Sequence, residues 1–131
     1  MKLALGADLK GAFAVERRGE LTHRTGFGDL AELDRFEAWQ GALDDAIAGE
    51  RIETVVVDRH PLFHPSAEGR RIAARTGARL VEVQHHHAHA AAVLSRSPIE
   101  EPALGLILDG TGYGDDGAIW GCELLRIDPD G

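Results

Sequence analysis

The sequence predicts an α/β domain in which helices pack against a mixed β-sheet. Residues 52–58 form a nearly continuous β-branched and apolar run, which is typical of a strand buried on both faces. From this run onward, apolar stretches alternate with helical ones, and such alternation favours a parallel sheet covered by helices. Two short apolar runs at residues 2–7 and 11–17 flank a polar turn, which predicts an antiparallel hairpin at the start of the chain.

The elements between this hairpin and the buried run follow from hydrophobic spacing and from turn residues. A third short strand is predicted at residues 20–24, directly after a turn at Arg18-Gly19. A helix is predicted over residues 30–48, with Asp29 as its N-cap and Gly49 after its end. The first part of the chain is therefore predicted to be three strands followed by a helix.

The second part of the chain alternates between helices and strands. The predicted elements are a helix at residues 66–76 with Ser66 as its N-cap, a strand at 79–84, a helix at 85–96, a strand at 103–109 and its antiparallel partner at 117–127. Pro98 and Pro102 mark the loop before the first strand of that final pair. Asp128-Pro129-Asp130-Gly131 is a turn sequence of the kind that joins two strands. Because the chain stops inside this turn, we expect it to be truncated.

Composition limits the classes of protein and of partner. A chain of 131 residues with 44% apolar residues can bury one core of its own. A formal net charge of -8, without any cluster of Lys and Arg, argues against nucleic-acid binding. One cysteine, Cys122, excludes an internal disulfide and a zinc finger built on Cys pairs. No signal peptide and no membrane-length apolar run is present, so we expect a cytoplasmic protein without a membrane partner.

Four of the seven histidines lie in His85-His86-His87-Ala88-His89, between a predicted strand and a predicted helix. Residues four apart share a helix face, so His85 and His89 could bind one metal ion together; His86 could replace His85, whereas His87 should point elsewhere. The alternative is a solvated cluster without metal. The position at the end of a parallel strand, where α/β proteins place ligands, favours a metal. A zinc-protease HExxH motif is not present.

A glycine-rich turn follows the strand that ends at Asp109. Its five residues are Gly110, Thr111, Gly112, Tyr113 and Gly114. The Asp109 carboxylate could complete a metal site, while the glycines let the backbone approach a phosphate closely. For residues 115–117 an ordinary hairpin turn is the simpler interpretation. Two histidines and one aspartate are too few ligands for a closed structural site, and they fit an open site that takes substrate oxygens.

Four other residues have ionisable or reactive side chains. Asp58 and His60 are interpreted as a capped strand end in preference to direct catalysis. Lys10 could reach a phosphate, although an exposed turn lysine is the simpler interpretation. Cys122 is predicted to occupy a packed strand position, where a thiol behaves as a small hydrophobe. We therefore predict no catalytic residue among these four.

Four motifs together resemble one family. They are Gly-Ala-Asp-Leu-Lys at residues 6–10, Asp58-x-His60-Pro61, Gln-His-His-His-Ala-His at residues 84–89, and Asp-Gly-Thr-Gly-Tyr-Gly-Asp-Asp-Gly-x-x-Trp-Gly at residues 109–121. They are similar to the Kae1-like carbamoyltransferase domain of the HypF hydrogenase maturation factors, over nearly the whole chain. The resemblance implies an ASKHA fold (actin, sugar kinase, Hsp70-like), with residues 1–102 as a first lobe and residues 103–131 as the first hairpin of a truncated second lobe.

The resemblance also implies a functional site. It implies a divalent ion, iron or alternatively zinc, held by His85, His89 and Asp109. It implies nucleotide phosphates near Gly110, Thr111, Gly112, Tyr113 and Gly114, with Lys10 as a further phosphate contact. Three further residues are expected to lie next to these ligand and phosphate-binding residues and to support them: Asp58, His60 and His86. The chain departs from the family pattern at Gly11-Ala12, where Asn-Thr is usual, and at Cys122, where a glycine is usual.

The implied reaction is a carbamoyl transfer. Carbamoyl phosphate and ATP form a carbamoyl-adenylate, and the carbamoyl group passes to the C-terminal cysteine of a HypE-like acceptor protein during [NiFe]-hydrogenase maturation. The ion would polarise and position the adenylate for attack by the thiolate, so no nucleophile is required from this chain. Two alternatives remain: a relative that carbamoylates a small molecule, and a non-catalytic protein that only binds a HypE-like partner.

Overall fold

The computed structural model describes residues 1–96 and 101–128. It divides into two compact units, Met1–Glu82 and Val83–Gly131, which are taken separately below. Pro98, and residues 129–131 of the turn predicted at residues 128–131, lie outside the described residues. Among the described residues, no helix has both the length and the apolar character needed to cross a membrane.

The first unit is built on a five-stranded mixed sheet with the strand order β3-β2-β1-β4-β5. The strands are β1 (Lys2–Leu5), β2 (Phe13–Arg17), β3 (Glu20–Arg24), β4 (Thr54–Asp58) and β5 (Arg79–Val83). Strand β1 is antiparallel to β2, with Leu3 opposite Val15, and parallel to β4, with Leu3 opposite Val55. The hairpin and the third strand predicted from the sequence are confirmed.

Helices α1 (Leu33–Ile47) and α2 (His64–Thr76) supply the rest of the core of the first unit. The largest core side chain is Trp39 on α1, which is fully buried and meets Phe13 of β2 edge to face, with ring centroids 6.4 Å apart. Such a buried aromatic or aliphatic side chain stabilises a domain by about 1.5–3 kcal/mol relative to exposure. The other buried apolar residues of this core include Leu3, Leu5, Val15, Leu30, Leu43, Ile47, Val55, Val57 and Ile72.

Both helices of the first unit begin at residues other than the predicted ones. Helix α1 begins at Leu33, because Asp29 uses its Oδ1 to accept the N–H of Ala31 and closes a turn before the helix. Helix α2 begins at His64 and includes Pro65, a residue well suited to a first helical turn. Ser66 therefore lies inside α2, where its hydroxyl donates to the carbonyl of Asp58 at 2.8 Å.

The second unit contains α3 (His85–Leu94) and two antiparallel ribbons. The ribbons are β6 (Ala103–Ile107) with β9 (Glu123–Ile127), and β7 (Gly112–Tyr113) with β8 (Ile119–Trp120). The prediction of a single partner strand at residues 117–127 is wrong. A bend at Cys122, where φ is +55°, separates β8 from β9, so each pairs with a different strand.

Candidate metal centre

The histidine cluster occupies the first turns of α3. Gln84 is the N-cap residue of this helix, and its Oε1 accepts the backbone N–H of His87 at 3.0 Å. This cap fixes where the helix begins and therefore which histidines share a face. His85 and His89 are one turn apart, and their rings meet edge to face with centroids separated by 4.9 Å. His87 is exposed, as predicted for a residue on a different face.

Asp109 meets both of these histidines. Its Oδ2 lies 3.0 Å from Nε2 of His85 and 3.2 Å from Nε2 of His89. One ligand atom from each of the three residues falls within 4.8 Å of the other two, which is the spacing of a metal-binding group. The pairing of His85 with His89 is the one that the structure brings together with Asp109. His86, the alternative partner that the spacing left open, is buried elsewhere in the unit.

The electrostatic state of Asp109 suits metal binding. Partial burial opposes its ionisation, but the N–H of Gly110 and the imidazoles of His85 and His89 outweigh burial and lower the pKa of the Asp109 carboxyl below its ordinary value. The Gly110 N–H donates to Oδ1 at 2.8 Å, which leaves Oδ2 directed at the two histidines. Because the folded-state pKa is lowered, the carboxylate persists to lower pH than in an unfolded chain.

The donor set fits a divalent transition metal. Two imidazole nitrogens and one carboxylate oxygen suit Fe²⁺ or Zn²⁺, and three protein ligands leave coordination positions for substrate or water. The side chain of His89 is 53% exposed, so one flank of the group is open to solvent. On that flank lies a shallow cavity of about 390 Å³, formed by His89, Val93, Asp109 and residues 106–108. A substrate could therefore reach an ion at this site.

Two of the three glycines of the turn after Asp109, Gly112 and Gly114, are closely packed within the unit. A Cβ on Gly112 would come within 2.9 Å of Nε2 of His86, and one on Gly114 would meet the indole of Trp120. The N–H of Gly114 donates to the carbonyl of Ala118, as in an ordinary hairpin. Phosphate contact by Gly110, Thr111, Gly112, Tyr113 and Gly114 stays a prediction.

Three residues predicted for the site belong to the first unit: Lys10 as a phosphate contact, and Asp58 and His60 as supporting residues. These roles stay predictions. Lys10 is exposed at the end of a short 3-10 turn. Asp58 accepts the N–H of His60 through Oδ1 at 2.8 Å, which is the geometry of a capped strand end. The ring of His60 stacks on Phe63 with centroids 4.1 Å apart. These contacts agree with a structural role for both residues at the end of β4.

Asp8 has a structural role that the sequence analysis missed. Its Oδ1 accepts the backbone N–H of His64 at 2.9 Å, and its Oδ2 lies 3.3 Å from Nδ1 of the same histidine. Asp8 thus caps the start of α2 from a position far away in the chain. The only local signal was Pro65, which marks an early helix position but does not identify the capping residue.

Cys122 occupies a position different from the predicted one. Its side chain is exposed and lies in the bend between β8 and β9. Its N–H donates to the carbonyl of Asp109 at 2.9 Å, so it helps to hold the backbone of a ligand residue. A φ of +55° is strained for a residue with a Cβ, at a cost of order 1 kcal/mol, which explains why a glycine suits this position.

Family models match both parts of the chain. The model described as "HypF Kae1-like domain" matches residues 1–96, and the model "Carbamoyltransferase, Kae1-like Domain, second subdomain" matches residues 105–131. The chain belongs to the HypF family. The resemblance inferred from the four motifs is thereby confirmed. The boundary predicted between residues 102 and 103 stays a prediction.

Named relatives of the HypF family agree with this assignment. A "Carbamoyltransferase HypF homolog" of Cupriavidus necator is 39% identical over 97% of this chain, which covers 33% of that relative. HypF2 of the same organism is 41% identical over 96% of this chain and 16% of its own length. The probable carbamoyltransferase HypF of Methanocaldococcus jannaschii is 31% identical over 94% of the chain. This chain thus spans a third or less of the length of these relatives.

Solved HypF structures confirm the fold class. The T. kodakarensis HypF structure matches with a TM-score of 0.85 at 30% identity, over 97% of this chain and 17% of that one. Full-length HypF in the phosphate- and nucleotide-bound form matches with a TM-score of 0.80, also at 30% identity, over 97% of this chain and 17% of its own. The predicted α/β fold of ASKHA type is confirmed.

Proposed function

We propose that this chain is the metal-bearing part of a HypF-type carbamoyltransferase. The observation that carries the proposal is the convergence of His85, His89 and Asp109, whose ligand atoms lie within 4.8 Å of one another. A divalent ion fits this donor set, and we propose iron, with zinc as the alternative. The named relatives are carbamoyltransferases, which supports transfer chemistry at this site.

The proposed reaction passes a carbamoyl group from an adenylate to a thiol. Carbamoyl phosphate releases inorganic phosphate to give carbamate, and the carbamate oxygen displaces pyrophosphate from the α-phosphorus of ATP to give the carbamoyl-adenylate. The thiolate at the C-terminal cysteine of a HypE-like acceptor then forms a bond to the carbamoyl carbon. The bond between that carbon and the phosphate oxygen breaks, and AMP leaves with the electron pair.

The residues of this chain hold and orient the reactants. A bound divalent ion supplies a Lewis acid that stabilises negative charge developing on oxygen. His85, His89 and Asp109 would hold it, and the lowered pKa of the Asp109 carboxyl favours the ionised form that binds a metal. We place the nucleotide phosphates beside the turn at residues 110–114, where the exposed Thr111 offers a hydroxyl.

A chimera tests the proposed function. This chain would replace the aligned segment of T. kodakarensis HypF, and carbamoylation of the acceptor cysteine would be followed by mass spectrometry. We expect transfer by the chimera and a loss of at least ~100-fold when His89 is replaced by alanine, since loss of a supporting residue alone can cost 10–100-fold. Equal rates for the two chimeras would contradict the proposal. An acceptor whose C-terminal cysteine is replaced by serine is the control.

A further inference from the structure

The side chain of His86 is buried and makes no hydrogen bond to any of the described residues. Its side chain is 0% exposed, and neither Nδ1 nor Nε2 has a hydrogen-bond partner among the described residues. A buried polar group without a partner is unfavourable, because it loses its hydrogen bonds to water on folding and gains none. A leucine would fill a similar volume without this loss. The ring is therefore held by packing, and its role must be sought in what it packs against.

His86 packs against Gly112 of β7. A Cβ on Gly112 would lie 2.9 Å from Nε2 of His86, 3.1 Å from its Cδ2 and 3.1 Å from Cβ of His85. Real Cβ atoms essentially never approach another atom as closely as the first of these distances. Gly112 is itself buried. The backbone of Gly112 is thus in close contact with the first turn of α3, and the His86 ring lies against it on one side.

The contact between His86 and Gly112 connects the two elements that carry the metal ligands. His85, next to His86, is on α3, whereas Asp109 is three residues before Gly112. A shift of Gly112 away from α3 would move Asp109 away from both histidines. Displacements of about 1 Å are enough to impair a site whose geometry must be preorganised. We therefore expect the separations of 3.0 and 3.2 Å between Asp109 Oδ2 and the two histidine nitrogens to depend on this contact.

We propose that His86 is a positioning residue whose ring holds Gly112, and through it Asp109, at the distance that metal binding requires. The inference rests on the proposed metal site and adds a residue that does not touch the ion. In this role the size and shape of the His86 ring matter, and hydrogen bonding by its nitrogens does not. It also explains why Gly112 must lack a side chain.

A double-mutant cycle at positions 86 and 112 tests this role. Cobalt(II) is the probe ion, and its visible absorption is the readout. We expect Gly112→Ala to weaken cobalt(II) binding by ~10-fold or more and to shift the absorption bands, because the added methyl pushes the turn off α3. In the His86→Ala background the same Gly112→Ala change should cost less than about threefold, because the vacated space accepts the methyl group. Equal costs in the two backgrounds would overturn the proposal.

A second substitution separates shape from hydrogen bonding. His86→Leu keeps most of the side-chain volume and removes the unpaired nitrogens, so we expect cobalt(II) affinity within about threefold of wild type. We also expect a higher unfolding midpoint. If His86→Leu loses as much affinity as His86→Ala, the ring nitrogens are required and the role through shape is wrong.

Matched controls distinguish this inference from the metal site itself. His87→Ala removes an exposed neighbour on the same helix, and Gly41→Ala adds a methyl where nothing lies within 4 Å. Both should bind cobalt(II) as wild type does. A wild-type chain that binds no cobalt(II) would overturn the metal site and the positioning role together. If wild type binds cobalt(II) normally and the losses of affinity from the two substitutions simply add, only the positioning role is overturned.

Discussion

His89→Ala is expected to reduce the ferrous iron bound by the chain by ~100-fold or more in affinity, because it removes one of three ligands. The measurement is bound iron after anaerobic loading and removal of free metal, for wild type and variant. Wild type should approach one ion per chain, and the variant should retain almost none at the same free iron concentration. Asp109→Ala should behave in the same way, because the Asp109 carboxylate faces both histidines.

His87→Ala is the matched control for this experiment. It removes the same side chain from the same helix, two residues away, at an exposed position outside the metal-binding group. We expect its iron content to equal that of wild type. An equal content of bound iron in His89→Ala and wild type would contradict the assignment of His89 as a ligand. Loss of iron in His87→Ala as well would show a non-specific response of the helix to substitution.

Gly69→Ala is expected to destabilise the chain by about 1–3 kcal/mol, the usual cost of overpacking a core. Alanine normally stabilises a helix interior relative to glycine by about 1 kcal/mol, so the expected sign is reversed here. A Cβ on Gly69 of α2 would overlap Val57 Cγ1 and would lie 3.1 Å from Leu5 Cδ1. The helix therefore lies directly on β1 and β4 through this glycine. Denaturant unfolding measures the change.

Gly41→Ala provides the opposite expectation within the same unit. Gly41 is an exposed residue inside α1, and nothing lies within 4 Å of the Cβ that alanine would add. We expect a stabilisation of about 0.5–1 kcal/mol from helix propensity alone. If Gly69→Ala and Gly41→Ala both stabilise the chain, α2 does not pack on the sheet as described.

The elements with strong local signals could be predicted from the sequence. The β-branched run of β4 and the apolar hairpin of β1 and β2 contain their own pattern, so the strands were predicted within one or two residues. Gly77 ends α2 with φ +72°, as a left-handed glycine cap does. These signals depend only on neighbouring residues.

Elements that depend on distant contacts could not be predicted. The start of α2 is set by Asp8, which is 56 positions from His64, so local rules selected Ser66 instead. The division of the last strands into two ribbons depends on a left-handed Cys122, a conformation that a Cβ usually excludes. The cysteine itself gives no sign of this conformation, and the one signal of it is the glycine that is usual at this position in the family.

The candidate site could be predicted in part. Helical spacing identified two histidine pairs and could not choose between them, since both pairs share a face. The choice depends on which ring meets Asp109, and the structure directs His85 there while burying His86. The contact between His86 and Gly112 lies across two elements and has no signature in either. Such contacts become visible only when the elements are packed together.

X-ray absorption at the metal edge of the zinc-loaded chain tests the central claim most directly. We predict first-shell scattering from imidazole nitrogens at about 2.0–2.1 Å and from oxygen at about 2.0–2.2 Å. The multiple-scattering features should correspond to two histidines. Scattering from sulfur at about 2.3 Å would place Cys122 on the ion, and the absence of imidazole would place the ion elsewhere. Either result would contradict a centre built from His85, His89 and Asp109.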